Sequence, residues 1–98
     1  MPANSSQPTD ESAVTVTATL PSDVALHARP AANLVRAASK VGAPVTLAAN
    51  GKRANARSIL EVLALGATGG TTVAVSATGP DAAAAAAAIA EVIATLHG

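Results

Sequence analysis

The Asn50-Gly51 pair, set within VTLAANGKRANA, does more than any other stretch to limit what this chain can fold into. The central residues of a tight hairpin turn need positive φ, which asparagine and glycine reach most readily. With apolar alternation around it, the pair predicts two antiparallel strands in the middle of the chain. Two more alternating runs supply partners. VTVTATL, Val14 to Leu20, places Val14, Val16, Ala18 and Leu20 on one face and threonines on the other. TTVAVSAT turns Val73, Val75 and Ala77 inward in the same way.

Helical signals lie between and after these runs. Pro30 fits a first helical turn, where its missing N–H has no partner to lose. Ala31, Leu34, Val35 and Ala38 then form an apolar stripe, with Arg36, Ser39 and Lys40 outside it. Gly42 and Pro44 are expected to end this helix. SILE, Ser58 to Glu61, fits a capping box that opens a short helix ending at Gly66. Gly79-Pro80-Asp81 leads into a last helix, with Asp81 as cap or first-turn anion. Seven alanines, Ala82 to Ala88, give that helix high propensity, and Ile89, Val92, Ile93 and Leu96 give its second half a buried stripe. The order β-α-β-β-α-β-α predicts an α+β layer structure: an antiparallel sheet with helices on one face.

Composition narrows the function. A chain of 98 residues suits one small domain, and its core is built without Phe, Tyr or Trp. Alanine fills 27 of the 98 positions, so packing relies on Val, Leu, Ile and close backbone approach. Residues 1–12 are polar, hold Pro2 and Pro8, and read as a disordered tail before a domain spanning 13–98. That start lacks the basic and apolar regions of a secretory signal, so a soluble cytoplasmic monomer that engages no membrane is expected. Six basic residues balance six acidic ones, and aromatic stacking platforms are absent, which argues against nucleic acid as a partner. There is no cysteine, and the two histidines stand 70 positions apart, so neither thiol chemistry nor a metal site is expected. No cofactor is called for.

His27 lies where a loop meets the start of a helix, beside Arg29. Helix N-terminal amides are free donors that attract anions, and a guanidinium matches phosphate oxygens. A neutral imidazole is a nucleophile. These residues fit phosphate handling. They also fit a surface histidine near a helix start with Arg29 as a solvated charge.

LHARPAA and NGKRANARSILEVLALG together resemble the two signatures of the HPr family, the histidine-containing phosphocarriers of the bacterial phosphoenolpyruvate-dependent sugar phosphotransferase system. The likeness runs from about Val14 to Leu96. It implies an open-faced sandwich of four antiparallel strands with three helices on one face. It implies that His27 accepts a phosphoryl group on Nδ1 from phosphorylated enzyme I and passes it to enzyme IIA domains. Arg29 would stabilise that group, and Pro30 would set the helix start. Ser58 matches the serine modified in some bacteria by HPr kinase/phosphorylase. Ile59, Leu60 and Leu63 match apolar docking positions, and Arg36 and Arg57 match basic ones that face acidic partners. The chain departs from the pattern at Ala25, where the family usually has glycine, and at Glu61, where many relatives carry a basic residue or glycine.

Other functions fit the same residues. A regulatory module of the same fold could act through Ser58. A carrier could serve a parallel nitrogen-regulation or dihydroxyacetone relay. A small enzyme could use His27 as acid or base, although Asp23 is the only carboxylate close by in sequence. His97 is expected at a frayed helix end, and Lys52 and Arg53 as solvated charges beside the hairpin turn.

Overall fold

A computed structural model describes residues 13–97 of the chain. The expected polar tail, residues 1–12, lies outside the described residues. The strands are β1 (Val14–Thr19), β2 (Val45–Ala49), β3 (Lys52–Asn55) and β4 (Thr72–Ala77). The helices are α1 (Ala28–Lys40), α2 (Ile59–Ala64) and α3 (Ala82–Ala94). The expected order β-α-β-β-α-β-α is therefore observed, with a single antiparallel sheet in the order β1-β4-β2-β3.

The hairpin forms where Asn50-Gly51 placed it. Asn50 has φ 55° and Gly51 φ 75°, and the register pairs Ala49 with Lys52 and Leu47 with Ala54. Period-two alternation then sorts the faces. Val45, Leu47, Ala54, Val73, Val75 and Ala77 are buried under the helices. The outer face carries Thr15 against Ser76, 2.9 Å between hydroxyls, and Thr19 against Thr72, 3.3 Å. The open-faced sandwich follows from this division.

Leucines and isoleucines fill the core in place of aromatic rings: Leu20, Leu34, Leu47, Leu65, Ile89 and Ile93 are fully buried. Helix α3 lies on β1 and β4 through Ala82, Ala85, Ala86, Ile89 and Ile93. Within the alanine run only Ala82, Ala85 and Ala86 are buried; Ala83, Ala84, Ala87 and Ala88 are exposed, where alanine serves helix propensity. Among the described residues no polar or charged side chain is buried. None of the described helices is long and apolar enough to cross a membrane.

Several local expectations need correction. Val92 was expected in the buried stripe of α3 but is only half-buried, because Ile89 and Ile93 fill the contact with the sheet. Gly42 does not end α1 in a left-handed turn. The chain leaves the helix at Val41, which is extended (φ −83°, ψ 153°). The carbonyls left open there are taken by Arg57, which makes a glycine cap unnecessary. The capping box at Ser58 is only half made. Ser58 Oγ accepts from the Glu61 N–H at 3.3 Å, but the Glu61 carboxylate accepts from the Asn55 N–H at 2.8 Å. The Ser58 N–H is already given to the Asn55 carbonyl at 2.9 Å, so Glu61 has no donor to take at the cap.

Candidate phosphoryl-acceptor site

The loop before His27 is held at closely spaced points. Pro21 to Val24 form a turn, closed by the Val24 N–H on the Pro21 carbonyl at 3.0 Å. Leu26 is buried, and its N–H donates to the Ala67 carbonyl at 2.9 Å. The His27 N–H donates to the Ala25 carbonyl at 2.9 Å. The His27 carbonyl then accepts the first helical bond of α1, from Ala31 at 3.0 Å. His27 is thus the N-cap of α1, with an extended backbone (φ −95°, ψ −168°) and no capping hydrogen bond from its ring. Pro30, the third helical residue, is buried. His27, Ala28 and Arg29 stand exposed between the anchors Leu26 and Pro30.

The first turn of a helix leaves its amides without intrahelical acceptors. Pro30 has no N–H, and Ala31 is already bonded. Ala28 and Arg29 therefore offer the free N–H groups, with no acceptor among the described residues. An exposed imidazole beside two free amides, the positive end of a helix and a guanidinium is suited to carrying an anionic group. Ala25 does not disturb this arrangement. Among the described residues Asn50 is the only non-glycine with positive φ, so the loop takes a path that alanine adopts without strain.

The other expected residues spread along α1 and α2, which pack together. Arg57 donates from Nε to the Ala38 carbonyl at 3.1 Å and from Nη2 to the Val41 carbonyl at 2.9 Å. That ties the start of α2 to the end of α1. The Leu26–Ala67 bond ties the segment after α2 to the start of α1. Helix α2 accordingly runs back along α1. Ser58 sits near the far end of α1, about 20 Å of helix away from His27 at 1.5 Å per residue. Leu60 is 77 % exposed and Ile59 38 %, while Leu63 is half-buried. Arg36 is exposed and hydrogen-bonded through Nη2 to the Asn33 side chain.

Some contributors were not found from the sequence. The Asn50 side chain donates to the Leu65 and Gly66 carbonyls at 3.0 and 3.2 Å, and Lys52 Nζ to the Ala64 carbonyl at 3.3 Å. The hairpin turn therefore closes the C-terminal end of α2. Lys52 is a helix-end donor as well as a charge in solvent.

A family description, "PTS HPr component phosphorylation site", matches residues 14–95. The chain belongs to the HPr family. It is 46 % identical over 57 residues to the phosphocarrier protein HPr of Vibrio cholerae, a stretch that is 58 % of this chain and 67 % of that one. It is 61 % identical over 46 residues to the HPr of Streptomyces coelicolor, 46 % of this chain and half of that protein's length. In three dimensions it is similar to the histidine-containing phosphocarrier protein of a mycoplasma, with a TM-score of 0.74 and 36 % identity over 87 % of this chain and all of that one. The HPr of Bacillus anthracis gives a TM-score of 0.77 at 30 % identity, over 83 % of this chain and 96 % of that one. These are phosphocarriers of the phosphotransferase system, and the HPr fold accounts for the topology described above.

Proposed function

We propose that the chain is a phosphocarrier that takes a phosphoryl group from phosphorylated enzyme I on His27 and delivers it to enzyme IIA domains in the cytoplasm. The observation that carries this reading is the exposed His27 at the N-cap of α1, fixed between buried Leu26 and Pro30, with the Ala28 and Arg29 amides free. The Nδ1 lone pair forms a bond to phosphorus as the bond from phosphorus to the enzyme I side chain breaks. The ring proton stays on Nε2, the enzyme I side chain leaves with the electron pair of the broken bond, and the phosphoryl oxygens draw on the free amides and on the Arg29 guanidinium. Passing the group to an enzyme IIA histidine reverses these steps. The chain is thus a substrate of its partners, not a catalyst that turns over.

Ile59, Leu60 and Leu63 supply a small apolar docking patch, and Arg36 adds charge toward acidic partners. Arg57 uses Nε and Nη2 internally and keeps Nη1 for a partner carboxylate. A small, partly electrostatic interface suits a carrier that must release each partner. Phosphate on Ser58, placed by HPr kinase/phosphorylase, would add negative charge beside Leu60 and near the Glu61 carboxylate, weakening docking without touching His27. A parallel relay would use the same chemistry with other partners.

The test is incubation with phosphoenolpyruvate and enzyme I, read by intact mass. One acid-labile phosphoryl group is expected, absent from His27→Ala. A folded sample that gains none from its cognate enzyme I would overturn the reading.

A further inference from the structure

The segment between α2 and β4, residues 66–71, lies directly against the loop that presents His27. The Leu20 N–H donates to the Thr71 carbonyl and the Gly70 N–H to the Leu20 carbonyl, both at 3.0 Å. At the other end of the loop, the Leu26 N–H reaches the Ala67 carbonyl. Between these points Gly69 faces the Pro21–Val24 turn. A Cβ built on Gly69 would overlap the Ser22 carbonyl oxygen, lie 2.6 Å from its carbon and stand 3.0 Å from the Pro21 carbonyl oxygen. Real Cβ atoms do not come that close to backbone, and no side-chain rotation relieves it. Gly69 does not have positive φ, so its requirement is space, not backbone conformation.

We infer that Gly69 is a positioning residue for the phosphoryl acceptor: its missing side chain lets the 66–71 segment seat the Pro21–Leu26 loop and so fix where His27 is presented. The inference rests on the proposed carrier function and adds a determinant outside the phosphoryl-binding residues.

The segment itself is braced. The Thr71 N–H donates to the Thr68 carbonyl at 3.0 Å, and the Thr68 N–H to Thr71 Oγ1 at 3.2 Å. A Cβ at Gly69 therefore pushes the Pro21–Val24 turn instead of the segment. The push is passed toward His27 through a short chain held at Leu20, at buried Val24 and at Leu26. Helix α2 and the exposed Leu60 are untouched by it.

The experiment compares wild type, Gly69→Ala and Gly79→Ala as substrates of enzyme I. Gly79 (φ 98°) stands before α3 with nothing near its missing side chain, so its alanine variant strains the fold away from the His27 loop. Displacing a reacting group by about 1 Å can cost 10²-fold, so Gly69→Ala should lower the maximal rate of phosphoryl acceptance about 10- to 100-fold. The half-saturating concentration should stay within about threefold, because docking is separate. The His27 imidazole NMR resonances should move in Gly69→Ala and stay in place in Gly79→Ala. Equal behaviour of the two variants would overturn the inference, as would a changed half-saturating concentration at unchanged maximal rate. If Gly69→Ala does not fold, Thr71→Ala, which only loosens the brace, should give the same changes on a smaller scale, and its matching wild type would overturn the inference. If wild type accepts no phosphoryl group, the carrier reading fails, and the imidazole resonances alone decide the positioning.

Discussion

Replacing His27 with serine should leave the protein more stable than replacing it with alanine, and wholly inactive. His27 has the extended N-cap backbone that serine, asparagine and aspartate favour, but its ring makes no capping bond. A cap oxygen ordinarily accepts from the N–H of the second or third helical residue. Here the third residue is Pro30, which leaves only the Arg29 N–H. Capping is worth about 0.5–2 kcal/mol in general, and with one of the two donors absent the lower half applies, about 0.5–1 kcal/mol. In a domain of this length that corresponds to a Tm rise of about 2–5 °C over His27→Ala. Aspartate should add about 0.3–1 kcal/mol through the helix dipole, an increment that salt removes. The assay is thermal unfolding by far-UV circular dichroism, since the chain has no Phe, Tyr or Trp for fluorescence. Neither variant should accept a phosphoryl group. If His27→Ser is no more stable than His27→Ala, the Arg29 amide is not free, and the argument that the helix start cradles phosphate falls with it.

Three further perturbations test other parts of the structure. Arg57→Ala removes two bonds to the end of α1; because the residue is exposed, a loss of about 1–2 kcal/mol is expected in urea unfolding. Leu60→Ala should change stability by less than about 0.5 kcal/mol. The same change should raise the half-saturating concentration for enzyme I about tenfold, the loss of one apolar docking contact, and an unchanged value would remove Leu60 from the interface. Asn50→Ala forces alanine to φ 55° and strips the Leu65 and Gly66 carbonyls of their donor, for about 1–3 kcal/mol, with amide exchange in α2 speeding up before that in β4.

Much of the architecture was legible because its causes are local. Asn50-Gly51 states a backbone conformation outright. The spacing of Ala31, Leu34 and Ala38 states a helix face, and Ser58 states a helix start. The partners of helix-end carbonyls were not legible. A carbonyl belongs to every residue, so nothing in the sequence marks Ala38 and Val41 as acceptors for Arg57, or Leu65 and Gly66 for Asn50. For the same reason Glu61, three residues after Ser58, promised a closed capping box. The Asn55 N–H donates to its carboxylate instead, and the Ser58 N–H is already taken by the Asn55 carbonyl. The site itself was half legible. LHARP marked an exposed histidine, a cation and the helix start, but the seat inferred for Gly69 depends on a contact across 47 positions, between Ser22 and Gly69.

The two ends of α1 are closed differently. At the C-terminal end Arg57 covers the Ala38 and Val41 carbonyls, and Lys40 adds charge of the sign the dipole favours. At the N-terminal end no acidic residue occupies the first turn, and the cap residue makes no side-chain bond. Helix starts commonly gain from both, so their absence costs stability that a serine at the cap would restore. Water can satisfy the exposed Ala28 and Arg29 amides in the unmodified chain, and an anion bound there would take water's place. On the proposed function, a phosphoryl group on His27 would supply both acceptor oxygens and negative charge. The phosphorylated chain should therefore be the better-capped one, and its melting temperature should exceed that of the unmodified chain. If it does not, the amides of Ala28 and Arg29 do not hold the phosphate, and Arg29 alone must offset its charge.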